Sequence, residues 1–184
     1  MAEENKTLLD RYVAYIKGLA KDKSPEMFTN GGIEYASQLM AVLFQSTKKD
    51  ARLFCRGFRP DLIRKEPYWG ALNAYLQDDS KRLHVLIETK DALNDEPMNL
   101  LRQTKERRGD DTVDFRIIKE EDRQRMFDGL NGTPCNFAVF DNDKFRFEYD
   151  PDGFKAFGSF NHEKNCSVLI TLFDNAFNNA VALN

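Results

Sequence analysis

Two carboxylates and a lysine stand at a spacing that metal-assisted hydrolysis can use. Asp61 follows a proline, while Glu88 and Lys90 follow the apolar residues 83–87 and are two positions apart, so both point to one face of the predicted strand. Carboxylate oxygens are the ligands that Mg²⁺ prefers, and a lysine beside such a metal can position or activate the attacking water. One interpretation of the sequence is therefore a Mg²⁺ site on Asp61 and Glu88, with Lys90 as the third functional group.

A second group of polar residues lies in the last third of the chain. An apolar run over residues 136–140 ends in the carboxylate of Asp141, and the tetrapeptide Gly158-Ser159-Phe160-Asn161 follows 17 residues later. A further apolar run, residues 167–173, comes after the tetrapeptide. This order predicts a strand that ends in Asp141, a Gly-Ser-x-Asn turn, then a strand and a final helix.

That arrangement resembles the C-terminal end of a phospholipase D-like domain, whose motif is His-x-Lys-x4-Asp followed by Gly-Ser-x-Asn. The resemblance implies that Ser159 and Asn161 would hydrogen-bond phosphoryl oxygens and that Asp141 is the aspartate of the motif. The same alignment puts Pro134 where the nucleophilic histidine should be and Asn136 where the lysine should be. Since covalent catalysis of this kind needs its nucleophile, the resemblance implies the fold but not the chemistry.

The Asp61, Glu88 and Lys90 set resembles the Pro-Asp…Glu-x-Lys pattern of a large nuclease superfamily. In that superfamily a hairpin usually joins the two parts of the pattern, whereas here a helix over residues 68–77 is predicted between them. Pro-Asp is also an ordinary pair at the start of a helix.

Two histidines are present, and neither stands in a matching position. His162-x-Lys164 reproduces His-x-Lys, but it follows the Gly-Ser-x-Asn tetrapeptide instead of preceding it, and Leu169 occupies the aspartate position. His84 lies at the start of a predicted buried strand and is interpreted as a packed, neutral imidazole. We see no Gly-rich phosphate loop and no His/Cys set with metal-ligand spacing.

Residues 144–150 alternate charged and aromatic side chains after a predicted hairpin turn at Asn142-Asp143. We expect the charged side chains to face solvent and pair across strands. The aromatic ones should pack on the main sheet or form a surface that docks a partner. The charged set is Lys144, Arg146, Glu148 and Asp150, and the aromatic set is Phe145, Phe147 and Tyr149, extended by Phe154, Phe157 and Phe160.

Net charge, the lengths of the apolar runs and the cysteine spacing indicate which partners and which compartment to expect. The 184 residues carry 27 basic and 30 acidic side chains, and the net charge of −3 does not favour nucleic acid as a partner. The sequence has no apolar leader and no run near ~20 apolar residues, so we expect a cytoplasmic protein without a membrane segment. Cys55, Cys135 and Cys166 lack Cys-x-x-Cys spacing and are expected to be reduced thiols.

Hydrophobic periodicity predicts an α/β fold: a mixed, mostly parallel sheet flanked by helices, resembling a phospholipase D-like half-domain with a late β-hairpin. The N-terminal helix within residues 1–22 is a candidate appendage to a single domain over residues 31–184. Predicted helices span 4–21, 33–46, 68–77, 98–107 and 120–130, and predicted strands span 51–55, 82–87, 113–118, 137–141, 144–149 and 166–173, with a last helix from 175.

The resulting hypothesis is a non-catalytic phospholipase D-like domain, without a cofactor, that binds a protein partner or a phosphate-bearing ligand. In the family that it resembles, two such halves meet around a two-fold axis, which implies a homodimer or a hetero-complex. Fold analogy alone adds a bacterial accessory or defence protein as the context. The alternative is a Mg²⁺-dependent nuclease using Asp61, Glu88 and Lys90.

Overall fold

The chain folds around one open sheet with helices on both sides. The computed structural model describes residues 2–57, 59–89 and 96–183. Within them the helices are α1 (Ala2–Asp22), α2 (Ile33–Ser46), α3 (Pro60–Ile63), α4 (Tyr68–Gln77), α5 (Glu96–Arg108), α6 (Glu120–Asp128) and α7 (Glu163–Asn179). The strands are β1 (Met27–Asn30), β2 (Asp50–Cys55), β3 (Arg82–Ile87), β4 (Val113–Ile117), β5 (Asn136–Phe140), β6 (Lys144–Asp150), β7 (Lys155–Ser159) and β8 (Val181–Ala182).

The strand order is β1-β7-β6-β5-β2-β3-β4-β8. The units that place a helix between two strands, β2-α4-β3 and β3-α5-β4, give parallel neighbours, because a crossover helix returns the chain in the same direction. The hairpins β5-β6 and β6-β7, the β2–β5 pair and the two edge strands are antiparallel. The mixed α/β sheet flanked by helices is thus confirmed, whereas the expectation of a mostly parallel sheet was wrong.

Elements with strong apolar periodicity lie where the sequence predicts them. The bounds of α2, α4 and β3 coincide with the predicted ranges, and α1, β2 and β4 differ by one or two residues at an end. In β3, for example, Leu83 and Val85 to Ile87 are buried, as expected for a strand covered on both faces. Tertiary packing and local pattern agree in these segments.

The predicted strand over residues 166–173 is instead the first half of α7. Its Val, Ile and Thr content favours a strand. The buried positions, however, are Cys166, Leu169, Phe173, Ala176 and Phe177, which is the helical spacing of 3 and 4. The short strands β1 and β7 were missed, since four or five residues between Gly and Pro give little periodicity.

The core lies in two clusters, one on each side of the sheet. The first contains the buried faces of α1, α2 and α4 with alternate residues of the strands, and the second contains those of α6 and α7. Ile16 and Leu19 of α1 belong to the first cluster, while the division of the chain into an appendage and a domain stays a prediction. Among the described helices, none has the length and apolar character needed to cross a membrane.

Gly158 lies where a side chain would collide with a neighbouring strand and an aromatic ring. A Cβ at this position would lie 2.1 Å from the carbonyl oxygen of Phe145 and 2.6 Å from the ring of Phe28. Since β7 lies between β1 and β6 in the sheet, neither neighbour can retreat without breaking a ladder. Packing alone therefore requires glycine here.

We expect Gly158→Ala to destabilise the fold by about 3 kcal/mol, because the added methyl group overpacks a closed site. The matched control is Gly18→Ala in α1, where a Cβ meets nothing within 4 Å and a helical alanine should stabilise by about 0.5–1 kcal/mol. Urea unfolding followed by circular dichroism measures both. Equal stabilities for G158A and wild type would contradict the packing requirement.

Candidate functional site

The Gly-Ser-Phe-Asn tetrapeptide forms the end of β7 and the connection to α7. Ser159 is fully buried, and its hydroxyl donates to the carbonyl of Ser24 at 3.4 Å and accepts from the amide of Asn161 at 3.2 Å. Asn161 is exposed, two residues before α7 begins. The Ser159 hydroxyl therefore ties the end of β7 to the segment before β1.

Asp141 is the centre of a local hydrogen-bond cluster at the same end of the sheet. Its carboxylate accepts from the backbone amides of Lys48, Lys49 and Asp50 at 3.0, 2.9 and 3.2 Å, and from Lys144 Nζ at 2.8 Å. Burial alone would raise the pKa of Asp141. The bonds from Lys144 and the amides outweigh that effect and hold the pKa below its usual range. The residue also adopts a positive φ of 51°, which an aspartate tolerates in a turn.

Asp141→Asn should cost about 2 kcal/mol at neutral pH, because hydrogen bonds to a charged acceptor are lost beside the buried Lys144. The depressed pKa makes this contribution fully present above the unfolded-state pKa of about 3.9. It disappears as the pH falls through the lower folded-state pKa.

Unfolding titrations at neutral and acid pH test this expectation. The stability gap between wild type and D141N should shrink below about pH 4. Asp143→Asn is the control, since the Asp143 side chain contacts Lys144 but, in the described structure, no backbone amide. A stability difference between wild type and D141N that stays constant down to acid pH would contradict the lowered pKa of Asp141.

The alternative metal site is divided between two ion pairs. Asp61 pairs with Arg59 at 2.8 Å, which, against a smaller opposing effect of burial, lowers the pKa of Asp61. Glu88, just beyond β3, is almost buried and pairs with Arg123 at 3.2 Å. Lys90 lies outside the described residues. Within those residues no group of three or more His, Cys, Asp or Glu side chains could hold a metal ion, and the Mg²⁺ site stays a prediction.

The charged side of β6 is the site that sequence reasoning missed. Lys144, Arg146 and Glu148 are only 6, 5 and 4 % exposed, so the expectation that this side faces solvent was wrong. The cause is the central position of β6, which has β5 and β7 as neighbours and helix layers on both sides of the sheet. Strict alternation shows which residues share a side but not which side is covered.

Arg146 and Glu148 form a buried ion pair whose partners come from three other segments. Arg146 Nη2 lies 2.6 Å from Glu148 Oε1, and both side chains are about 95 % buried. Arg146 Nε donates to Asn30 Oδ1 at 3.2 Å, and Asn136 Nδ2 donates to Glu148 Oε2 at 2.6 Å. Asn30 in turn donates to the carbonyl of Phe154 at 2.7 Å. We call this set of five residues the polar network.

A cavity of about 60 Å³ adjoins the polar network. Its size is that of roughly two water molecules. Tyr68, Cys55, Arg146 and Glu148 are among its lining residues. Burial raises the pKa of the Cys55 thiol, so this sulfur stays protonated and is not an activated nucleophile.

Arg59 and Phe154 also line this cavity and contact each other. The Arg59 guanidinium lies 4.1 Å above the ring of Phe154, donates to the carbonyl of Pro151 at 2.9 Å and pairs with Asp61. Phe154 has a φ of 53°, a conformation that is costly for a bulky side chain. Contacts from Arg59 and Asn30 hold Phe154 in place. The ion pair with Asp61 orients the Arg59 guanidinium, so Asp61 has a structural role here.

Arg146→Met should destabilise the protein by about 3–5 kcal/mol, because Glu148 would remain as a buried charge without its cation. The double variant Arg146→Met/Glu148→Met should recover most of that loss, since no buried charge is left unpaired. Urea unfolding of both single variants and the double variant forms a double-mutant cycle. Strictly additive losses would show that the two charges are not coupled.

Both histidines have structural contacts. His162 is the N-cap of α7, where its Nδ1 accepts from the amide of Asn165 at 3.3 Å. His84 stacks on Phe177 at 5.1 Å, and burial lowers its pKa, in accord with the prediction of a neutral, packed imidazole. Neither histidine contacts the polar network or lines its cavity.

The aromatic residues of the hairpin region divide into a buried and an accessible set. Phe145, Phe154 and Phe160 are buried. Phe147 and Phe157 are half-buried, and Tyr149 is 47 % exposed. The rings of Phe147 and Tyr149 lie 5.3 and 6.3 Å from that of Phe157, so the accessible three form one cluster.

No known sequence family matches the chain, and no curated protein matches it. Several solved structures, however, match the chain in fold. Nuc from Salmonella typhimurium, a phospholipase D family member, has a TM-score of 0.57 at 11 % identity over 86 % of this chain and 99 % of that one. The archaeal chromatin protein TrmBL2 has a TM-score of 0.59 at 8 % identity over 85 % and 53 % of the two chains. Phosphatidylserine synthase from Haemophilus influenzae reaches 0.52 at 9 % identity over 86 % and 39 %.

At these identities the likeness concerns the fold alone. The chain has a phospholipase D-like fold, as the Gly-Ser-x-Asn resemblance implied.

Proposed function

We propose that this chain is a non-catalytic module with a phospholipase D-like fold that binds a protein partner. The observation that carries the non-catalytic part is the polar network. Where the resemblance implies a nucleophilic histidine and a lysine, the chain has Pro134 and Asn136, and the side chain of Asn136 is bonded to buried Glu148.

The internal bonds of the tetrapeptide support the same proposal. A phosphate ligand would need the Ser159 hydroxyl, which is buried and bonded within the chain. The Asp141 carboxylate is likewise bonded to three amides and Lys144. The polar groups that the resemblance assigns to a phosphoryl ligand hold segments of the fold together instead, so a protein is favoured over a phosphate-bearing ligand.

The binding part of the proposal rests on the accessible aromatic cluster of Phe147, Tyr149 and Phe157. Aromatic side chains that remain partly exposed beside a folded core are enriched in protein interfaces, where they bury a large area at little cost in conformational entropy. Their position on the hairpin corresponds to the docking surface that the sequence suggests.

The purified full chain should not cleave phosphodiesters. We would incubate it with single- and double-stranded DNA, RNA and bis(p-nitrophenyl) phosphate, with Mg²⁺, Mn²⁺ or EDTA. The expected result is turnover no higher than in samples of Glu88→Gln and His162→Ala, which control for contaminating nucleases.

Two results would overturn the proposal. Metal-dependent cleavage that is lost in a folded E88Q variant would establish the nuclease alternative with Asp61, Glu88 and Lys90. Cleavage that persists in EDTA and is lost in H162A would establish histidine chemistry of the phospholipase D type.

A further inference from the structure

The strand β1 is an open edge of the sheet. It pairs on one side with β7, and in the described structure no backbone group bonds to its other side. The opposite edge differs, since β4 is paired there with the short C-terminal strand β8. In an antiparallel edge strand every second residue directs its amide and carbonyl groups away from the neighbouring strand. β1 therefore presents unpaired hydrogen-bonding groups that a further strand can use.

The sequence of this edge lacks the features that usually protect an exposed strand. Lysine side chains, proline and β-bulges are common devices that prevent another strand from adding to an edge. The residues of β1 are Met-Phe-Thr-Asn, and residues 27–33 carry no charge. Its register with β7 is unbroken over all four residues. Neither charge nor a backbone irregularity in β1 thus opposes pairing with another chain.

The side of the sheet next to this edge is accessible and apolar. Helix α7 packs mainly against β2, β5 and β6, and the sheet continues beyond it to β7 and β1. Thr29 on β1 is exposed, and the register places it beside Phe157, which in turn lies beside Phe147. A groove of about 380 Å³ between β6, β7 and α7 continues this surface, with the exposed side chains of Tyr149 and Val168 in its lining. A strand added at β1 would therefore extend an apolar surface.

Exposed apolar side chains also surround the start of β1. Met27 is 42 % exposed, and Tyr15 of α1 lies nearby, because its hydroxyl donates to Glu26 at 2.7 Å. Leu8 is two helical turns before Tyr15 and thus on the same side of α1. Of the six large apolar side chains that are most exposed in the described structure, five lie on β1, on this side of α1 or at the groove. Such a concentration indicates an interaction surface.

We infer that β1 is the docking site for an extended peptide segment of another protein, which adds to the sheet as a further strand. The inference rests on the proposed function and deepens it, because it names the kind of partner. Unpaired backbone groups along β1 select a strand, since the backbone groups of a helix are already bonded to one another. Affinity then comes from main-chain hydrogen bonds, and specificity from alternate side chains.

The surroundings of β1 determine which segment fits. Alternate side chains of the added strand would lie beside Met27 and Thr29, where the surface is uncharged. A large apolar residue opposite Thr29 can pass over this small side chain toward the ring of Phe157. The four residues of β1 limit the pairing to a short segment. We therefore expect a peptide with β-branched or aromatic residues at alternate positions and no charge among them.

A phage-displayed library of random peptides, about ten residues long, tests the inference with the purified full chain as the immobilised target. The selected peptides should carry β-branched or aromatic residues at positions i, i+2 and i+4, without proline between them. Fluorescently labelled synthetic copies then give dissociation constants by anisotropy.

Backbone N-methylation of the selected peptide distinguishes strand addition from docking through side chains alone. In an added strand every second amide donates to β1, and the others face solvent. Methylation of the first set should weaken binding by about 10-fold or more, because those hydrogen bonds are lost. Methylation of the second set should change the dissociation constant by less than about two-fold.

The double variant Met27→Lys/Thr29→Lys should weaken peptide binding by about 10-fold, because each lysine would lie beside an apolar side chain of the added strand. Both native side chains are exposed, so the variant should fold, as circular dichroism can show. The matched control is Val181→Lys/Ala182→Lys on β8, where both side chains are also exposed but at the opposite edge of the sheet. This control should bind the peptide as the wild type does.

Four results would overturn the inference. The first is a library that yields no peptide above background, and the second is equal binding by the two N-methylated peptides. The third is binding that M27K/T29K leaves unchanged and Tyr149→Asp abolishes, which would place the partner in the groove and leave the proposed binding function standing. The fourth is self-association of the wild type that M27K/T29K abolishes, which would assign the edge to a second copy. The proposed non-catalytic role fails only if phosphodiester cleavage is found, so the two failures are distinguishable.

Discussion

The buried pair of Arg146 and Glu148 is the constraint on which much of this structure depends. Two charges in the middle of a sheet are tolerated only if every remaining donor and acceptor finds a partner. Here the partners come from β1, β5 and the turn after β6, so the pair fixes these segments relative to one another. The Phe154 carbonyl is one of these partners, and Phe154 provides it with a strained backbone and with the Arg59 guanidinium above its ring.

Several polar groups of this fold have structural roles in the connections between its elements. Ser159, Asp141 and His162 all have the functional groups of a reactive site, and each bonds to the backbone of a neighbouring segment. In such positions a hydroxyl, a carboxylate or an imidazole stabilises a connection, since it satisfies amides that a loop leaves free.

The sequence determines those elements whose periodicity and burial agree. The apolar spacing of α2 and α4 and the continuous apolar run of β3 gave their bounds to the residue. The first half of α7 was predicted as a strand because Val168, Ile170 and Thr171 favour a strand locally, whereas tertiary contacts select the residues at helical spacing. The orientation of β6 was not available from its alternation, because either side of the strand can face a helix layer.

The candidate site was the least predictable part for a related reason. Asn30, Asn136 and Arg146 are 106 and 10 residues apart along the chain, and only the pairing of β1, β7, β6 and β5 brings them together. Asn residues in short strands give no sequence signal for burial. What the sequence did indicate was the absence of a histidine from the matching position, and that feature bears most directly on the proposed function.

Gly158 has a meaning for motif-based inference as well as for stability. The glycine of the Gly-Ser-x-Asn string is demanded by the carbonyl of Phe145 and the ring of Phe28, and the serine by the end of β7. In this fold the tetrapeptide therefore reflects the close packing of β1, β7 and β6 with the ring of Phe28. A search that scores this tetrapeptide as evidence of phosphoryl-transfer chemistry will therefore also return chains in which close packing alone requires it.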